Sequence, residues 1–179
     1  MHFLITGGGT REYIDPVRFI SNASSGRMGY ALTRAAQKAS HKVTLISASD
    51  LQPPVGVEFV GVDSAAEMFK AVKKHFSRCD CLIMAAAVAD YTPVRSVKTK
   101  IKKEDKFLTI KLKPTTDILK WAGKHKKLRR QKTKGKGPTA EDSPQDAFRR
   151  RQRAEGRGGK LLLVLLWKIK LSEPVRKRN

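Results

Sequence analysis

Phe3-Leu4-Ile5-Thr6 is a short apolar run that stops abruptly in Gly7-Gly8-Gly9-Thr10. A run of this length closed by glycines is the pattern of a strand buried on both faces of a parallel sheet and feeding a loop at its carboxyl end. Helix-like and strand-like segments then alternate. After a polar loop over residues 11–25, which contains Asp15-Pro16, Ser24-Ser25-Gly26 opens a predicted helix with a serine as N-cap. Met28, Leu32, Ala35, Ala36 and Ala39 recur on it at helical spacing. Lys42-Val43-Thr44-Leu45-Ile46-Ser47 is a second buried strand, Pro53-Pro54 breaks the chain, and Val57-Glu58-Phe59-Val60-Gly61-Val62 alternates as a third. Ser64-Ala65-Ala66-Glu67 has the form of a capping box for a helix carrying Met68, Phe69, Val72 and Phe76. Cys81-Leu82-Ile83-Met84-Ala85-Ala86 is the fourth strand. This order predicts an α/β, Rossmann-like open and mostly parallel sheet, incomplete at its carboxyl-terminal side. Ligands of such sheets bind beyond the carboxyl ends of the strands, here the loops at residues 7–25, 47–52 and 87–92.

Further along, Thr99-Lys100-Ile101-Lys102-Lys103 and Phe107-Leu108-Thr109-Ile110-Lys111-Leu112 flank Glu104-Asp105-Lys106. The second segment alternates, which predicts an antiparallel ribbon whose apolar face must be covered by the sheet or a second subunit. On such a ribbon Lys100 and Lys102 share one face. Lys113-Pro114-Thr115-Thr116-Asp117-Ile118-Leu119 reads as a turn into another helix, with Thr116 or Asp117 near its cap.

From about Leu128 the pattern stops, dividing the chain into a partial domain over residues 1–127 and a basic, low-pattern tail over 128–179. Of the net charge of +22, residues 120–179 carry 20 Lys+Arg against 5 Asp+Glu. Three readings of the tail stand: a polyanion-binding segment, a solvated or disordered tail, and an out-of-frame translation. The third is favoured because a half-built sheet leaves an unpaired edge; nucleic acid is the less expected partner. The i,i+2 cysteines Cys79 and Cys81 suit neither a disulfide framework nor a four-ligand zinc site. They fit a reducing cytosol as buried thiols. The longest apolar run, residues 161–167, is too short for a membrane span. The start Met-His-Phe-Leu lacks the basic region of a signal peptide. A cytoplasmic chain is expected.

Several residues could carry chemistry. Gly7-Gly8-Gly9-Thr10 would let backbone amides close on a phosphate, although the same glycines also suit a bare strand exit. It is neither the dinucleotide spacing nor a Walker A loop. Arg18 offers a bidentate grip on phosphate or carboxylate, and Asn22 a donor where negative charge develops; Asn22 and the serines also suit helix capping. Asp90 has the chemistry to hold Mg²⁺ or a nucleotide hydroxyl, or to form an Asx-turn. Four scattered histidines show no metal spacing and no hydrolytic triad.

In their order these segments are specific. Ile5-Thr6-Gly7-Gly8-Gly9-Thr10-Arg11-Glu12 and Ile14-Asp15-Pro16-Val17-Arg18-Phe19-Ile20-Ser21-Asn22-Ala23-Ser24-Ser25-Gly26-Arg27-Met28-Gly29 resemble the opening of the phosphopantothenoylcysteine synthetase family. Ala86-Ala87-Val88-Ala89-Asp90-Tyr91, Lys100-Ile101-Lys102-Lys103 and Lys113-Pro114-Thr115-Thr116-Asp117-Ile118-Leu119 match its next three motifs. The resemblance implies a ligase of coenzyme A biosynthesis, usually dimeric, that joins 4′-phosphopantothenate to cysteine. CTP and Mg²⁺ would activate the carboxylate as an acyl-cytidylate with release of pyrophosphate, and the cysteine amine would then displace CMP. It further implies that Asn22 acts on the acyl-cytidylate, that Arg18 contacts the acyl substrate, and that Ala86 and Ala87 line the pocket. Asp90 would sit at the nucleotide and its metal, and Thr116, Asp117, Ile118 and Leu119 would border the cytidine. Gly8, Gly9, Ser24, Ser25 and Gly26 would belong to the nucleotide site. Lys100 would neutralise phosphate charge from a flap on the ribbon, whose residues 97–113 would also build a homodimer contact. Thr116 stands where many relatives have proline. The family continues after Lys127 with a Gly-Phe-Ala-like strand end, a lysine-bearing helix and an Asn-Asp strand end, none recognisable here. An activity impaired by that loss is therefore expected, and no flavin-dependent decarboxylase activity.

The readings of the tail separate cleanly. A polyanion-binding tail gives affinity for a nucleic-acid duplex that falls steeply with salt and disappears when residues 128–179 are deleted. An out-of-frame tail gives no such loss, and translation of the other two frames after codon 127 recovers a Gly-Phe-Ala-type strand.

Overall fold

The computed structural model describes residues 1–103, 105 and 107–125. The expected tail, with its charge run and its apolar segment, lies outside the described residues. All four expected strands form: β1 (His2–Gly7), β4 (Lys42–Ser47), β5 (Glu58–Gly61) and β6 (Cys81–Met84). They make one sheet in the order β5-β4-β1-β6, every neighbouring pair parallel. Between β1 and β4 lie the short strands β2 (Arg11–Tyr13) and β3 (Phe19–Ser21) and the helix α1 (Arg27–Lys38). Helix α2 (Ala65–Phe76) joins β5 to β6; β7 (Tyr91–Pro93), β8 (Leu112–Pro114) and α3 (Ile118–His125) complete the order.

Successive strand residues point to opposite faces of a sheet, and the core divides accordingly. Ile5, Leu45, Val43, Cys81 and Ile83 pack with Tyr30 of α1 on one face. Leu4, Ile46 and Leu82 pack on the other with Met68, Val72 and Phe76 of α2 and Ile118 and Ala122 of α3. Cys79 and Cys81 are buried in these two different clusters, as expected of thiols used for packing. No helix among the described residues is long and apolar enough to cross a membrane.

Four local expectations are corrected. Helix α1 buries Gly29, Tyr30 and Thr33, whereas Met28 is exposed. Leu32 and Ala36 of the expected stripe do pack on the core, but the centre of the contact is Gly29, where the helix approaches β1 backbone to backbone: a Cβ on Gly29 would stand 2.8 Å from the Thr6 carbonyl oxygen. Second, the N-cap of α1 is Gly26 at φ 79°, without a side-chain cap, instead of a serine. Third, the polar loop over residues 11–25 contains the antiparallel pair β2–β3. Fourth, Thr99 to Lys103 and Phe107 to Lys111 form no strands among the described residues; the antiparallel ribbon is β7 with β8 instead. An isolated hairpin with one apolar face is marginal in water, and Phe107 and Leu108 are exposed here. Lys100 and Lys102 accordingly share no strand face. The capping box is present but shifted by one residue. Ser64 accepts from the Glu67 amide, while Glu67 accepts from Asp63 rather than from Ser64. Glu12, buried at 4 % exposure, adds a carboxylate to the Ala65 amide at the start of α2.

At the amino-terminal end of the sheet, the Glu58 carboxylate accepts from the Thr44 hydroxyl at 2.7 Å. His75 Nδ1 is buried 3.7 Å from Glu58 Oε1 and has no hydrogen-bond partner among the described residues. The Thr44 hydroxyl lowers the Glu58 carboxyl below its ordinary value; partial burial opposes this, and His75, Lys42 and His2 reinforce it. A depressed carboxyl contributes stability above its unfolded value of about 4.3 and loses it as pH falls through the folded value. Thr44→Val is therefore expected to lose less stability than the wild type between about pH 7 and about pH 3. Denaturant melts at the two pH values check this, and parallel losses in both proteins count against it.

Candidate active site

The strand order places a topological switch at β1. The chain moves from β1 to β4 and β5 on one side and returns to β6 on the other. Ligands of open parallel sheets bind beyond the carboxyl ends at such a point, and here backbone hydrogen bonds join the loops that follow β1 and β6. The Ala87 amide donates to the Gly8 carbonyl at 2.8 Å, and the Thr10 amide donates to the Ala87 carbonyl at 3.2 Å. Gly9 and Ala87 thus continue the β1–β6 pairing as an isolated parallel bridge. The Thr10 hydroxyl, fully buried, accepts from the Ala89 amide at 2.9 Å. Asn22 reaches the same loop, where its Nδ2 donates to Val88 O at 3.1 Å and lies 3.5 Å from Ala87 O. Asn22 is therefore oriented by the β6 loop and does not cap α1. An amide carries two N–H donors and one carbonyl acceptor, so this anchorage still allows it to meet a ligand.

On the other side of the glycine loop, Gly8 (φ 82°) and Gly26 (φ 79°) converge on Ser49. A Cβ at Gly8 would stand 2.6 Å from the Ser49 amide, so only glycine permits the approach. Ser49 donates to the Ser25 carbonyl at 2.8 Å and fixes the entry to α1. Gly9, Ser24 and Ser25 line an open cleft of ≈ 400 Å³ together with Arg11, Phe19 and Ser49. A cleft lined by a glycine, several serines and Arg11, just ahead of the start of α1, is of a kind suited to an anion.

Asp90 and the segment carrying Thr116, Asp117, Ile118 and Leu119 come together through Thr115. Its amide donates to the Asp90 carbonyl at 2.8 Å and its hydroxyl to the Ala89 carbonyl at 2.6 Å. Asp117 caps α3 by accepting from the Lys120 amide, as the sequence predicts. Ile118 is buried against α2, so its side chain belongs to the core and only its backbone can border a ligand. Asp90 is exposed, and no group of three or more His, Cys, Asp or Glu side chains able to hold a metal occurs among the described residues. Mg²⁺ in nucleotide sites commonly takes one or two carboxylates and completes its shell with phosphates and water. A lone Asp90 fits that donor set.

Arg18 and Lys100 stand elsewhere. Arg18 lies at the turn of the β2–β3 hairpin and Asn22 at its open end, separated by up to roughly 13 Å of extended backbone. The Arg18 Nη1 donates to Asp15 Oδ2 at 2.9 Å and to the Ile101 carbonyl at 3.1 Å. Ile101 in turn donates its amide to Asp15 Oδ2 at 3.2 Å. Burial pushes the Asp15 carboxyl up, but the amides of Val17, Ile101 and Arg18 and the charge of Arg18 outweigh it and hold the group below its ordinary value.

Sequence reasoning missed Thr10, Ser49 and Thr115 as residues that hold the candidate site together, and Asp15 as the residue that ties Arg18 to Ile101. Only Thr10 and Asp15 had a legible signal, one ending a glycine run and the other preceding a proline. Loss of the Thr10 hydroxyl strands the buried Ala89 amide, so Thr10→Val is expected to cost about 1–3 kcal/mol. Thr10→Ser should cost less. Equilibrium unfolding of both variants measures the difference, and equal stabilities would contradict the role given to this hydroxyl.

The family model of the DNA/pantothenate metabolism flavoprotein C-terminal domain matches residues 1–153. A coenzyme A biosynthesis bifunctional protein CoaBC of Bacillus subtilis is 49 % identical over 128 residues, covering 70 % of this chain and 32 % of that protein. The protein of the same name from Mycobacterium bovis is 53 % identical over 102 residues, 56 % of this chain and 24 % of its own length. The chain thus spans at most about a third of these relatives. The crystal structure of the C-terminal domain of a CoaBC protein superposes with a TM-score of 0.61 at 44 % identity, covering 70 % of this chain and 59 % of that one. A DNA/pantothenate metabolism flavoprotein from Streptococcus pneumoniae superposes with the same TM-score of 0.61 at 27 % identity, covering 69 % and 64 %. A family model that takes in residues 1–153, most of the sequence, settles membership: the chain belongs to the DNA/pantothenate metabolism flavoprotein C-terminal domain family.

Proposed function

We propose that the chain is a phosphopantothenoylcysteine synthetase domain, a ligase of coenzyme A biosynthesis joining 4′-phosphopantothenate to cysteine by way of an acyl-cytidylate. One observation carries the reading: Gly8, Gly9, Asn22 and Ala87 are hydrogen-bonded neighbours at one switch point, with Asp90 and the segment beginning at Thr115 tied to the same loop.

A carboxylate is a poor electrophile, so it must first acquire a leaving group. The substrate carboxylate attacks the α-phosphorus of CTP and pyrophosphate departs; the cysteine amine then attacks the acyl carbon and CMP departs. Gly8, Gly9, Ser24, Ser25 and Gly26 offer backbone amides and the α1 terminus to the phosphates. Asp90 would hold Mg²⁺, which supplies charge neutralisation to the phosphate chain when bound. Ala86 and Ala87 keep the pocket wall close to the backbone, and Thr116, Asp117, Ile118 and Leu119 border the cytidine. Asn22, already oriented by Val88, directs an N–H toward the acyl carbonyl as negative charge develops there. Arg18 uses Nη1 within the hairpin turn, and the remaining edge of its fork is the part that would meet the acyl substrate. Lys100 would offset phosphate charge. The exposed Val94, Val97, Phe107, Leu108 and Leu112 support a homodimer through residues 97–113, an arrangement that would cover them.

The full chain, supplied with CTP, Mg²⁺ and 4′-phosphopantothenate, is expected to release pyrophosphate, at a rate impaired for want of the family motifs after Lys127, and to form the amide only when cysteine is added. Asn22→Ala should keep pyrophosphate release while slowing transfer to cysteine by roughly 10²–10³-fold. A folded sample that consumes no CTP under any substrate mixture overturns the reading.

A further inference from the structure

The segment carrying Lys100 has no helix or strand of its own among residues 96–103, yet it is fastened at both ends. The Val97 amide donates to the Ile14 carbonyl at 3.0 Å, and the Ser96 hydroxyl reaches the same oxygen at 3.4 Å. Four residues on, both peptide groups flanking Ile101 are gripped by the Asp15–Arg18 pair. The span between them, Lys98-Thr99-Lys100, is a short basic loop mounted on the hairpin turn of residues 14–18.

Asp15 bears the mounting. Its side chain is fully buried and its two oxygens divide the work. Oδ1 accepts from the amides of Val17 at 2.9 Å and Arg18 at 2.8 Å, which shapes the turn. Oδ2 accepts from Arg18 Nη1 and from the Ile101 amide, which holds the loop. Hydrogen bonds to an ionised acceptor are the strong class, and the Asp15 carboxyl, held below its ordinary value, is such an acceptor at neutral pH.

We propose that Asp15 is a positioning residue that acts through Lys100: with Arg18 it clamps the Ile101 backbone, and so sets where the Lys100 ammonium stands relative to the phosphates. The assignment rests on the ligase reading for what Lys100 does, but the clamp itself can be tested apart from catalysis. Asp15→Asn divides the two functions of the carboxylate. The amide oxygen can still accept from Val17 and Arg18, whereas the amide nitrogen in place of Oδ2 presents a donor to two donors.

The experiment is amide hydrogen exchange on the full chain, with CTP kinetics measured on the same samples of wild type, Asp15→Asn and Lys100→Ala. In Asp15→Asn the Ile101 amide is expected to exchange at least about tenfold faster while those of Val17 and Arg18 stay protected. The KM for CTP should rise severalfold, in the same sense as in Lys100→Ala, with kcat less affected. Unchanged exchange at Ile101 overturns the clamp. So does faster exchange with an unchanged KM in an enzyme whose KM does respond to Lys100→Ala. If Lys100→Ala leaves the CTP kinetics of an active enzyme untouched, the phosphate role of Lys100 falls, and positioning by Asp15 falls with it. Should no ligation occur at all, the ligase reading falls, and exchange at Ile101 alone upholds or overturns the clamp.

Discussion

Beyond the carboxyl ends of β1 and β6, residues 8–10 and 87–89 are joined by two backbone hydrogen bonds and by the Thr10 hydroxyl. The join extends strand pairing past the point where both strands formally end, and it does so because Gly9 admits close neighbours. A Cβ there would stand 2.5 Å from the Asn22 carbonyl oxygen. Remove that contact and the glycine loop, Asn22 and the strap from Thr115 to Asp90 lose their common support. The chemistry proposed for the site depends on this one fastening more than on any single charged side chain.

Two ion pairs near the candidate site carry unequal weight. Arg11 meets Asp50 at the rim of the cleft, but the Asp50 side chain is 84 % exposed. A pair of that kind contributes about 0–1 kcal/mol, and less in salt. Asp15 differs because its carboxylate is inaccessible and accepts from three backbone amides as well as from a guanidinium. Buried and fully hydrogen-bonded, it specifies geometry in a way the rim pair cannot. Catalytic sites commonly separate the group that touches substrate from the group that holds it still, and the roles proposed for Lys100 and Asp15 divide along that line.

The four parallel strands and the three helices were legible because each is a local pattern. A short apolar run ended by glycine, a stripe with a capping box, and a proline-containing turn before a helix all act within a few residues. The ribbon was misread for the opposite reason. Alternation in Phe107 to Leu112 says only that one face wants cover, and the described residues of one chain provide none. The stripe of α1 holds at Leu32 and Ala36 and fails at Met28, because hydropathy ranks Met28 above Gly29, whereas the packing there turns on how near two backbones can come. Candidate residues that share one stretch, such as Gly8, Gly9 and Asn22, can be singled out from the sequence, and the structure brings them together at the end of β1. Thr115 and Ser49 gave no signal, since a threonine or serine in a loop becomes significant only when a carbonyl from a distant segment arrives beside it.

The sequence by itself determined the fold class and the family, since both rest on residue types in order. The tertiary structure decided which of those residues meet. It drew Asn22 onto the Val88 carbonyl and Thr115 onto residues 89–90, and it put Arg18 at the far end of a hairpin to grip Ile101. The physical reason is that a hydrogen bond between segments some 65 or 83 residues apart depends on sheet order and backbone approach, and neither is written in either segment alone.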